Sequence, residues 1–478
     1  MENQNSKSPQ SLLDCSLFRG TALQCLALGF AITSQFHILG QTPGSLDPTF
    51  NNGSGADGFI RVVAVQPDGK ILAGGNFSMV RGANDPLITR LNGDGTLDSN
   101  FTSAFPVPVL ASRIYTLGIQ PDRRILTAGL FTSVGGTLRT NMARLEADGS
   151  LDRTFDPGLG PSGLVRILAL QPDGRILIGG EFTSVNQTNR NRLARLNTDG
   201  SLDTSFDPGT GANDIVRTVV LLPTGQILVG GLFTSFNGGS IPYLVRLNSD
   251  GTPDASFPLG SGPNGNVYFI SPGADGSLLI GGDFTSVNGT NINRIARLRA
   301  DGSMDTAFVP GTGVLGGPVY HIIRQNNAKI VIGGGFSSVN GVTLHNLARL
   351  NPNGSLDVGF EPGSGASDVV LTMALLGDGR LVAGGLFVTY NGVAVEMLAG
   401  IYGDPAYPAV TAGSSDPANL IISWPSWATG YSLQATPQLN PPDWQTVTNN
   451  PTLQADHITL SLLRSRAAPS QFYRLILP

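Results

Sequence analysis

The sequence predicts an all-β protein, a seven-bladed β-propeller closed by its N-terminal strand and followed by a small β-sandwich. A phenylalanine recurs seven times with gaps of 51 to 54 residues, at Phe77, Phe131, Phe182, Phe233, Phe284, Phe336 and Phe387. Each repeat consists of short apolar runs separated by turns that are mostly Asp-Gly, which are typical of hairpins. No 3.6-residue hydrophobic period is present, which disfavours helical repeats. A repeat of roughly 50 residues made of short strands is typical of a propeller blade.

The third repeat, residues 164–206, illustrates how one blade is built. Its first run, LVRILALQ, is largely apolar on both alternating faces, which predicts a strand buried on both sides. Pro172-Asp173-Gly174 follows as a turn, because proline presets φ at the second position and glycine accepts a positive φ. The second run, RILIGGEF, contains Gly179 and Gly180, and paired glycines in a strand predict the close approach of another backbone.

The same repeat ends with LARLN and SLDTSF on either side of a TDG turn, so we expect four strands per blade. The LDxxF-type segment occurs at Leu46–Phe50, Leu97–Phe101, Leu151–Phe155, Leu202–Phe206, Pro253–Phe257, Met304–Phe308 and Leu356–Phe360. The repeat region therefore begins with a fourth strand and ends, at Leu398–Tyr402, with a third strand. Seven complete blades require the first segment to join the last repeat, which would remove the exposed edges of an open sheet.

Residues 1–41 differ in composition from the repeats. Thr21–Ile32 is a mostly apolar run that is too short to span a bilayer and is typical of a signal-peptide core. We therefore expect a leader over residues 1–41, export to the cell surface or the extracellular space, and no membrane span in the mature chain. Both cysteines, Cys15 and Cys25, lie in this leader, so we expect no disulfide and no cysteine metal site in the mature protein.

The repeat units resemble a known family. QPDGKILAGGNF, QPDGRILIGGEF and ARLNTDGSLDTSF are similar to the delta-60 repeat, which occurs in tandem in exported bacterial proteins. The repeats occupy residues 46–403, within a predicted propeller domain over residues 42–403. The resemblance implies a propeller-like surface protein in a family without agreed catalytic residues. Repeat 6 departs from the pattern with NNAK in place of the PDG turn, and repeat 7 has Gly400 where the other repeats have the arginine of the third strand.

Residues 404–478 break the period. They contain the strand-like runs LIISW, GYSLQAT, DWQTVT, HITLSLL and FYRLIL, separated by turn residues. The tryptophan on an early strand, the tyrosine strand and the terminal FYRL resemble a fibronectin-III or immunoglobulin-like sandwich. Because the segment is shorter than the usual ~100 residues, the resemblance implies a truncated sandwich.

The composition excludes one class of partner. The net charge is −5, and charged residues make up 13% of the chain, against about 25% in typical globular proteins. Such a mildly acidic balance leaves no electrostatic footprint for nucleic acid. We expect a monomer whose partner is a polysaccharide or a cell-surface protein.

One column of the aligned repeats carries the candidate ligand site. Near the start of the first strand the column reads Arg61, Tyr115, Arg166, Arg217, Tyr268, Tyr320 and Leu371. Since the first strand of a propeller blade is innermost, these residues should ring the mouth of the axial channel. Guanidinium groups bind carboxylate or sulfate, and tyrosine faces stack on sugars. We interpret the six Arg and Tyr residues as a ligand-binding site; the alternative is that long side chains merely fill the channel wall.

Other recurring polar residues are interpreted as structural. Six third strands carry an arginine that should pair with the aspartate of the adjacent LDxxF segment, at Arg90, Arg144, Arg195, Arg246, Arg297 and Arg349. The motif NTDGSLD at 197–203 resembles a calcium loop but lacks the EF-hand spacing, so we interpret it as a turn and expect no metal or other cofactor. His321 and His345 occupy non-recurring positions and are expected to be surface or loop residues rather than general bases.

The leading functional interpretation is an exported, non-enzymatic propeller that binds an anionic glycan or a protein partner at the cell surface. One alternative is a polysaccharide hydrolase or lyase, which would need paired carboxylates separated by about 5–9 Å at the channel mouth. Six carboxylates fall in the linkers that feed this face, at Asp57, Asp156, Asp207, Asp214, Glu361 and Asp368. A second alternative is a purely structural adhesin arm. No residue is predicted to be catalytic.

Overall fold

The computed structural model describes residues 42–50, 55–105, 111–257 and 259–404 of the repeat region, and residues 411–416, 419–425, 431–437, 443–454, 457–463 and 472–476 beyond it. The predicted leader, residues 1–41, lies outside the described residues. Every regular element in the described part of the chain is a β-strand. Residues 41–405 form one compact unit, and residues 406–478 belong to a second. No helix long and apolar enough to cross a membrane occurs in the described ranges.

Each of the seven repeats forms an antiparallel sheet of three strands in the order first, second, third. The first strands are Phe59–Val65, Arg113–Ile119, Val165–Leu170, Val216–Leu221, Val267–Pro272, Val319–Arg324 and Val370–Leu375. The second strands are Ile71–Asn76, Ile125–Leu130, Ile176–Gly180, Ile227–Gly231, Leu278–Gly282, Ile330–Gly334 and Leu381–Gly385. The third strands are Ile88–Leu91, Met142–Leu145, Leu193–Leu196, Leu244–Leu247, Ile295–Leu298, Leu347–Leu350 and Leu398–Ile401. The prediction of an all-β propeller is confirmed.

The predicted fourth strand is wrong. Each LDxxF-type segment joins the third strand by one isolated bridge, such as Leu196 with Leu202. The chain turns at once because the Asp203 carboxylate accepts a hydrogen bond from the backbone amide of Ser205, at 2.9 Å. Phe206 then enters the core, where it is fully buried, instead of extending the sheet. The segment therefore acts as a capped turn with a buried aromatic anchor.

A further element, which the sequence analysis does not predict, lies between the second and third strands. Five repeats form a short two-stranded hairpin there, at Ser133–Val134 with Thr137–Leu138, Ser184–Val185 with Thr188–Asn189, Ser286–Val287 with Thr290–Asn291, Ser338–Val339 with Val342–Thr343, and Thr389–Tyr390 with Val393–Ala394. In repeat 6 the strand Val314–Leu315 pairs with this hairpin as a third strand. Four of the five hairpin turns use asparagine with positive φ, as at Asn288, a conformation that asparagine tolerates, and the turn of repeat 2 uses Gly135 and Gly136.

The hydrophobic core lies between consecutive sheets, as the two apolar faces of the strands predict. One buried cluster joins Leu126 of repeat 2 to Ile178 of repeat 3, and another joins Val382 of repeat 7 to Ile60 of repeat 1. A hydrogen bond from the Val63 backbone amide to the Thr372 hydroxyl, at 3.1 Å, adds a polar contact between the same two repeats. The first and last repeats therefore meet through the kind of contact that joins sequential neighbours.

The recurring arginines pair with the aspartates as predicted. Arg195 Nε donates to Asp203 Oδ2 at 2.6 Å, and its guanidinium lies 4.9 Å from the centre of the Phe206 ring. Its Nη1 donates to the carbonyl oxygen of Ser249 at 2.6 Å, in the turn of the next repeat. The arginine thus holds its own capped turn and fixes the neighbouring sheet. Both side chains are buried, which fits this structural role.

The N-terminal segment takes the place of the missing LDxxF segment of repeat 7. Leu46 forms an antiparallel bridge with Ile401, and the backbone amide of Asp47 donates to the carbonyl oxygen of Gly400 at 2.9 Å. Phe50 is buried against Gly400, where a Cβ atom would clash with the aromatic ring. The absence of the arginine at position 400 is therefore a local adaptation at the junction of the chain ends of the propeller.

The second unit contains two small antiparallel sheets. The first has the strand order Thr411–Asp416, Asn419–Pro425, His457–Leu463, Thr452–Gln454, and the second has the order Gln445–Thr446, Ser432–Thr436, Phe472–Ile476. Residues of both sheets share one buried cluster that includes Trp424, Leu433 and Tyr473. This arrangement is that of a small sandwich, and the fibronectin-III resemblance remains a prediction.

Candidate functional site

A β-bulge in every first strand positions the candidate site. In repeat 3, Val165 and Ile167 pair with Gly180 and Gly179, so the residue between them, Arg166, has no partner in the ladder. The same register shift occurs in all seven repeats, and the bulged residues are Arg61, Tyr115, Arg166, Arg217, Tyr268, Tyr320 and Leu371. A bulge redirects one side chain out of the sheet and is frequent beside functional sites.

The glycine pair explains why the bulge is possible. A Cβ atom at Gly180 would strike the carbonyl oxygen of Leu164, and one at Gly179 would strike Val216 of the next repeat. The first glycine therefore admits the neighbouring sheet and the second admits the bulged backbone. The predicted close approach at the paired glycines is confirmed.

The seven bulged residues line a single cavity of about 320 Å³, together with Val369 and Leu386. We call this space the axial cavity. All six predicted site residues are half-buried in its wall, so the structure brings the whole predicted set together. Whether a ligand binds there remains a prediction.

The wall of the axial cavity is chemically divided. On one side the Tyr115 ring is sandwiched between two guanidinium groups, with Arg61 Cζ at 4.7 Å and Arg166 Cζ at 4.8 Å from its centre. On the other side the Tyr268 and Tyr320 rings lie 5.1 Å apart at 44°. Arg217 joins the two parts, with its guanidinium 5.3 Å from the Tyr268 ring. The remaining wall is apolar and consists of Leu371, Val369 and Leu386.

A second column of residues, which sequence analysis missed, sets the partners of the first. Each member directly follows the Gly-Gly or Ala-Gly pair at the end of a second strand. The members are Asn76, Leu130, Glu181, Leu232, Asp283, Gly335 and Leu386. Arg61 Nε donates to Asn76 Oδ1 at 3.1 Å, Arg166 donates to Glu181 Oε1 from both Nε and Nη2, and the Tyr268 hydroxyl donates to Asp283 Oδ2 at 2.9 Å. The sequence contains a signal that could have revealed this column: the position differs from repeat to repeat, although the glycine before it and the phenylalanine after it are the same in all seven repeats.

Arg217 differs from the other two arginines of the axial cavity. The second-column residue of its own repeat is Leu232, which offers no acceptor, and among the described residues no hydrogen bond or ion pair to the Arg217 guanidinium is found; its Nε is buried. Burial lowers the pKa of Arg217, and the positive charge of Arg166 lowers it further. A buried cationic donor without an acceptor is costly unless a ligand supplies one.

The tyrosines on the opposite side stay neutral. Burial and the hydrogen bond to Asp283 raise the pKa of Tyr268 to about 12, although the contact with Asn266 opposes this rise. Burial also raises the pKa of Tyr320. Both rings therefore present uncharged aromatic faces to the axial cavity across the physiological range of pH.

The carboxylates proposed for an enzyme lie on the surface and bind the backbone. All six linker carboxylates are exposed, and five of them accept hydrogen bonds from nearby backbone amides, as Asp57 does from Ser78 and Met79. In the described part of the chain none of them lines the axial cavity. The turn motif at 197–203 likewise uses its carboxylates internally, since Asp199 accepts from Ser201 and Asp203 from Arg195. No cluster of three potential metal-ligating side chains occurs among the described residues.

One histidine prediction is wrong and the other is compatible with the structure. His321 lies inside the first strand of repeat 6, with its ring 4.2 Å from that of Phe269, and its Nδ1 is buried. Burial lowers the pKa of His321 to about 4. His321 directly follows the bulged residue Tyr320, and its side chain packs against Phe269 of the neighbouring sheet. His345 is exposed in a loop, as expected.

The repeats match a known family model. Six segments match a domain of unknown function, DUF5122, described as a beta-propeller: residues 66–101, 120–155, 171–206, 222–257, 273–308 and 325–360. The chain carries DUF5122 repeats. Each DUF5122 segment begins at the turn before the second strand and ends at the phenylalanine of the LDxxF segment. The seventh repeat, which the N-terminal segment Leu46–Phe50 joins, lies outside these six segments. The delta-60 name remains a prediction.

Several solved structures are similar to this chain at low identity. The extracellular domains of two hybrid two component systems of B. thetaiotaomicron match at 9% and 11% identity with TM-scores of 0.42 and 0.43, covering 86% and 88% of this chain. This chain spans about half the length of both, 55% and 53%. A gluconolactonase of Xanthomonas campestris matches at 14% identity and TM-score 0.36 over 59% of this chain and 85% of its own. At such scores these likenesses carry no argument about function. No curated protein matches the sequence.

Proposed function

We propose that this DUF5122 propeller is a non-enzymatic binding module that takes an anionic saccharide in the axial cavity. One observation carries the proposal: bulges in six of the seven repeats direct three arginines and three tyrosines into one space. Core packing alone would be satisfied by aliphatic residues, as Leu371 shows in the seventh repeat. The Arg and Tyr side chains therefore need an explanation beyond filling the channel.

The chemistry of the wall favours an anion attached to a ring. Guanidinium groups bind carboxylate and sulfate through charged, often bidentate hydrogen bonds. Aromatic rings offer a large apolar face, and a tyrosine hydroxyl adds a polar handle. Three arginines around one axis repel one another, and bound anionic groups would offset that repulsion. Acidic saccharides combine an anionic group with a ring of the required kind.

The proposed setting is the cell surface or the extracellular space, as the predicted leader over residues 1–41 suggests. The partner would then be a surface or matrix polysaccharide. The enzyme alternative is not favoured, because the linker carboxylates are exposed and act as caps of backbone turns. A purely structural arm would not require an Arg and Tyr cavity at all.

The test is a glycan array probed with the full chain and with a triple variant, Arg61→Leu, Arg166→Leu and Arg217→Leu. We expect the wild-type protein to bind acidic glycans and the folded triple variant to lose this binding. Arg153→Leu is the matched control, because Arg153 is exposed and lies away from the axial cavity, so its loss changes the net charge without changing the site. Unchanged binding by the folded triple variant would leave the arginines as channel lining.

Salt dependence provides a second check. Binding to an acidic glycan should weaken as ionic strength rises, because partly exposed charge pairs are screened over about 8–10 Å at physiological salt. A protein that recognises a neutral polymer through stacking alone would show little change between low and moderate salt.

A further inference from the structure

Resting on the proposed function, we infer that the axial cavity binds a single sugar ring with one negative charge, at the end of a saccharide chain, and that Arg217 anchors the anionic group. Four features of the described residues lead to this inference: the charge balance of the cavity, the missing acceptor beside Arg217, the apolar wall and the size of the space.

The charge balance favours a monoanion. The cavity wall contributes three guanidinium groups, and two carboxylates hydrogen-bond to wall residues, Glu181 to Arg166 and Asp283 to Tyr268. Among the groups that line the cavity or hydrogen-bond to its wall, these five leave a net charge of one positive. A ligand with a single negative charge neutralises the site, whereas a dianion would leave an uncompensated negative charge in a half-buried space.

Arg217 is the arginine that most lacks an anionic partner. Arg166 already has the Glu181 carboxylate, and Arg61 has the amide oxygen of Asn76. Arg217 has Leu232 in the equivalent place and a buried Nε without an acceptor among the described residues. A carboxylate or sulfate oxygen in the cavity would accept the hydrogen bonds that its own repeat does not provide.

The place of the ring follows from the position of Arg217. Its guanidinium borders the Tyr268 ring, which packs against Tyr320, and the wall continues with Leu371 and Leu386. An anion held at Arg217 therefore places the attached ring against aromatic and aliphatic surface, which suits the C–H face of a sugar.

The size of the axial cavity limits the ligand to a terminal unit. Its volume of about 320 Å³ is at the low end of the roughly 300–1,000 Å³ found for ligand pockets. Bulged side chains from all seven repeats surround the space, so a polymer has no lateral groove in which to lie. We therefore expect one ring to enter along the axis, with the rest of the chain leaving through the mouth.

The first experiment is isothermal titration calorimetry of the full chain with D-glucuronate, D-galacturonate, glucose 6-sulfate, glucose 6-phosphate and glucose. We expect at least one monoanionic sugar to bind more tightly than the dianionic glucose 6-phosphate and the neutral glucose. Comparison of the two uronates with glucose 6-sulfate shows whether a carboxylate or a sulfate is preferred. A tighter 6-phosphate complex would overturn the inference of a monoanion. Glu181→Gln raises the net charge to two positive and should shift the preference toward the 6-phosphate.

The second experiment compares a uronate trimer with long polyuronate. Recognition of the end predicts the same Kd for both when concentration is expressed in chain ends. Equal Kd per uronate residue, or binding of the polymer without binding of any monomer, would overturn recognition of the end and leave the proposed function standing. Failure of every acidic saccharide at every length would overturn the proposed function itself.

Variants of Arg217 test the anchor. Arg217→Leu should weaken binding of the monoanionic sugar roughly 10- to 100-fold, because a hydrogen bond to a charged group is lost. Arg217→Lys should retain part of the affinity, and Arg153→Leu should retain all of it. Wild-type affinity in the Arg217→Leu protein, with an unchanged melting temperature as the check on folding, would show that the anion binds elsewhere.

Discussion

Arg380 donates a hydrogen bond from Nη1 to Asp47 Oδ2 at 2.9 Å across 333 residues of sequence. Asp47 is fully buried, and its repeat lacks the third-strand arginine because position 400 is glycine. Arg380 also donates from Nη2 to the carbonyl oxygen of Gly93 at 2.9 Å, in the turn that the third-strand arginines contact in other repeats. Arg380, which lies immediately before the second strand of repeat 7, thus replaces the missing arginine and links the N-terminal segment, repeat 7 and repeat 1.

We predict that Arg380→Leu destabilises the propeller far more than Arg175→Leu. Arg175 occupies the equivalent position in repeat 3, but Asp203 would keep its bond to Arg195, whereas Asp47 would lose its guanidinium. Removing one partner of a buried ion pair costs about 3–5 kcal/mol. Urea unfolding of both variants measures the difference. Equal losses would mean that Asp47 does not depend on Arg380.

Closure of the propeller can be tested by deletion. A protein that begins at Asn51 lacks the bridge of Leu46 with Ile401 and the buried Phe50, and loss of a buried phenylalanine side chain alone costs roughly 3–5 kcal/mol. The matched control is a C-terminal truncation that ends at Asp404. It keeps Asp404 because this residue pairs with the buried Arg349 at 2.8 Å. We expect a much lower melting temperature for the N-terminal deletion. The same melting temperature in both would contradict closure through the N-terminal segment.

The period, the turns and the glycine pair were enough to predict the propeller, because each blade repeats the same local chemistry. Gly174, for example, has a φ of +84° in the predicted Pro-Asp-Gly turn. The LDxxF segment misled us, since its alternation predicts a strand while the Asp203 cap ends the pairing after one bridge. The capping carboxylate binds backbone N–H groups that would otherwise bond to a neighbouring strand. The pattern of hydrophobic residues carries no information about this competition.

The candidate site was predictable in its first column and not in its second. Arg166 and Tyr268 stand out because a polar or aromatic residue interrupts an apolar strand, but Glu181 and Asp283 follow a glycine pair in what reads as the end of a strand. Their role depends on a bulge, which is a matter of register between two strands. The role of Arg380 was not predicted either, because its partner Asp47 is distant in sequence.

The glycine pair should not accept a side chain. In Gly180→Val the new Cβ would strike the carbonyl oxygen of Leu164, and relief would require the bulged backbone to move, at a cost of about 3 kcal/mol, the upper end for overpacking. The matched control is Gly225→Asn, because Gly225 has a φ of +85° and open space around it, and asparagine tolerates that conformation. Soluble yield and melting temperature should fall only for Gly180→Val. Similar behaviour of both variants would argue against the close approach.

His321 should make the stability of the propeller depend on pH in a defined window. Burial holds its folded-state pKa at about 4, below the ordinary value of 6.5. Protonation therefore favours the unfolded chain, so the contribution of His321 is complete above pH 6.5 and declines as pH falls through the window from 6.5 to 4. In His321→Phe the melting temperature should change less over this window, while His345→Phe, at an exposed position, should follow the wild type. Parallel profiles for His321→Phe and the wild type would contradict this assignment.

The axial cavity is the proposed ligand site, and a crystal of the propeller soaked with the tightest-binding acidic sugar tests this assignment most directly. We expect density for one ring in the cavity, with its anionic group at Arg217 and its face on Tyr268, and no such density in crystals of the Arg61, Arg166 and Arg217 triple leucine variant. Density at another surface, with the axial cavity unchanged although the sugar binds in solution, would contradict the account.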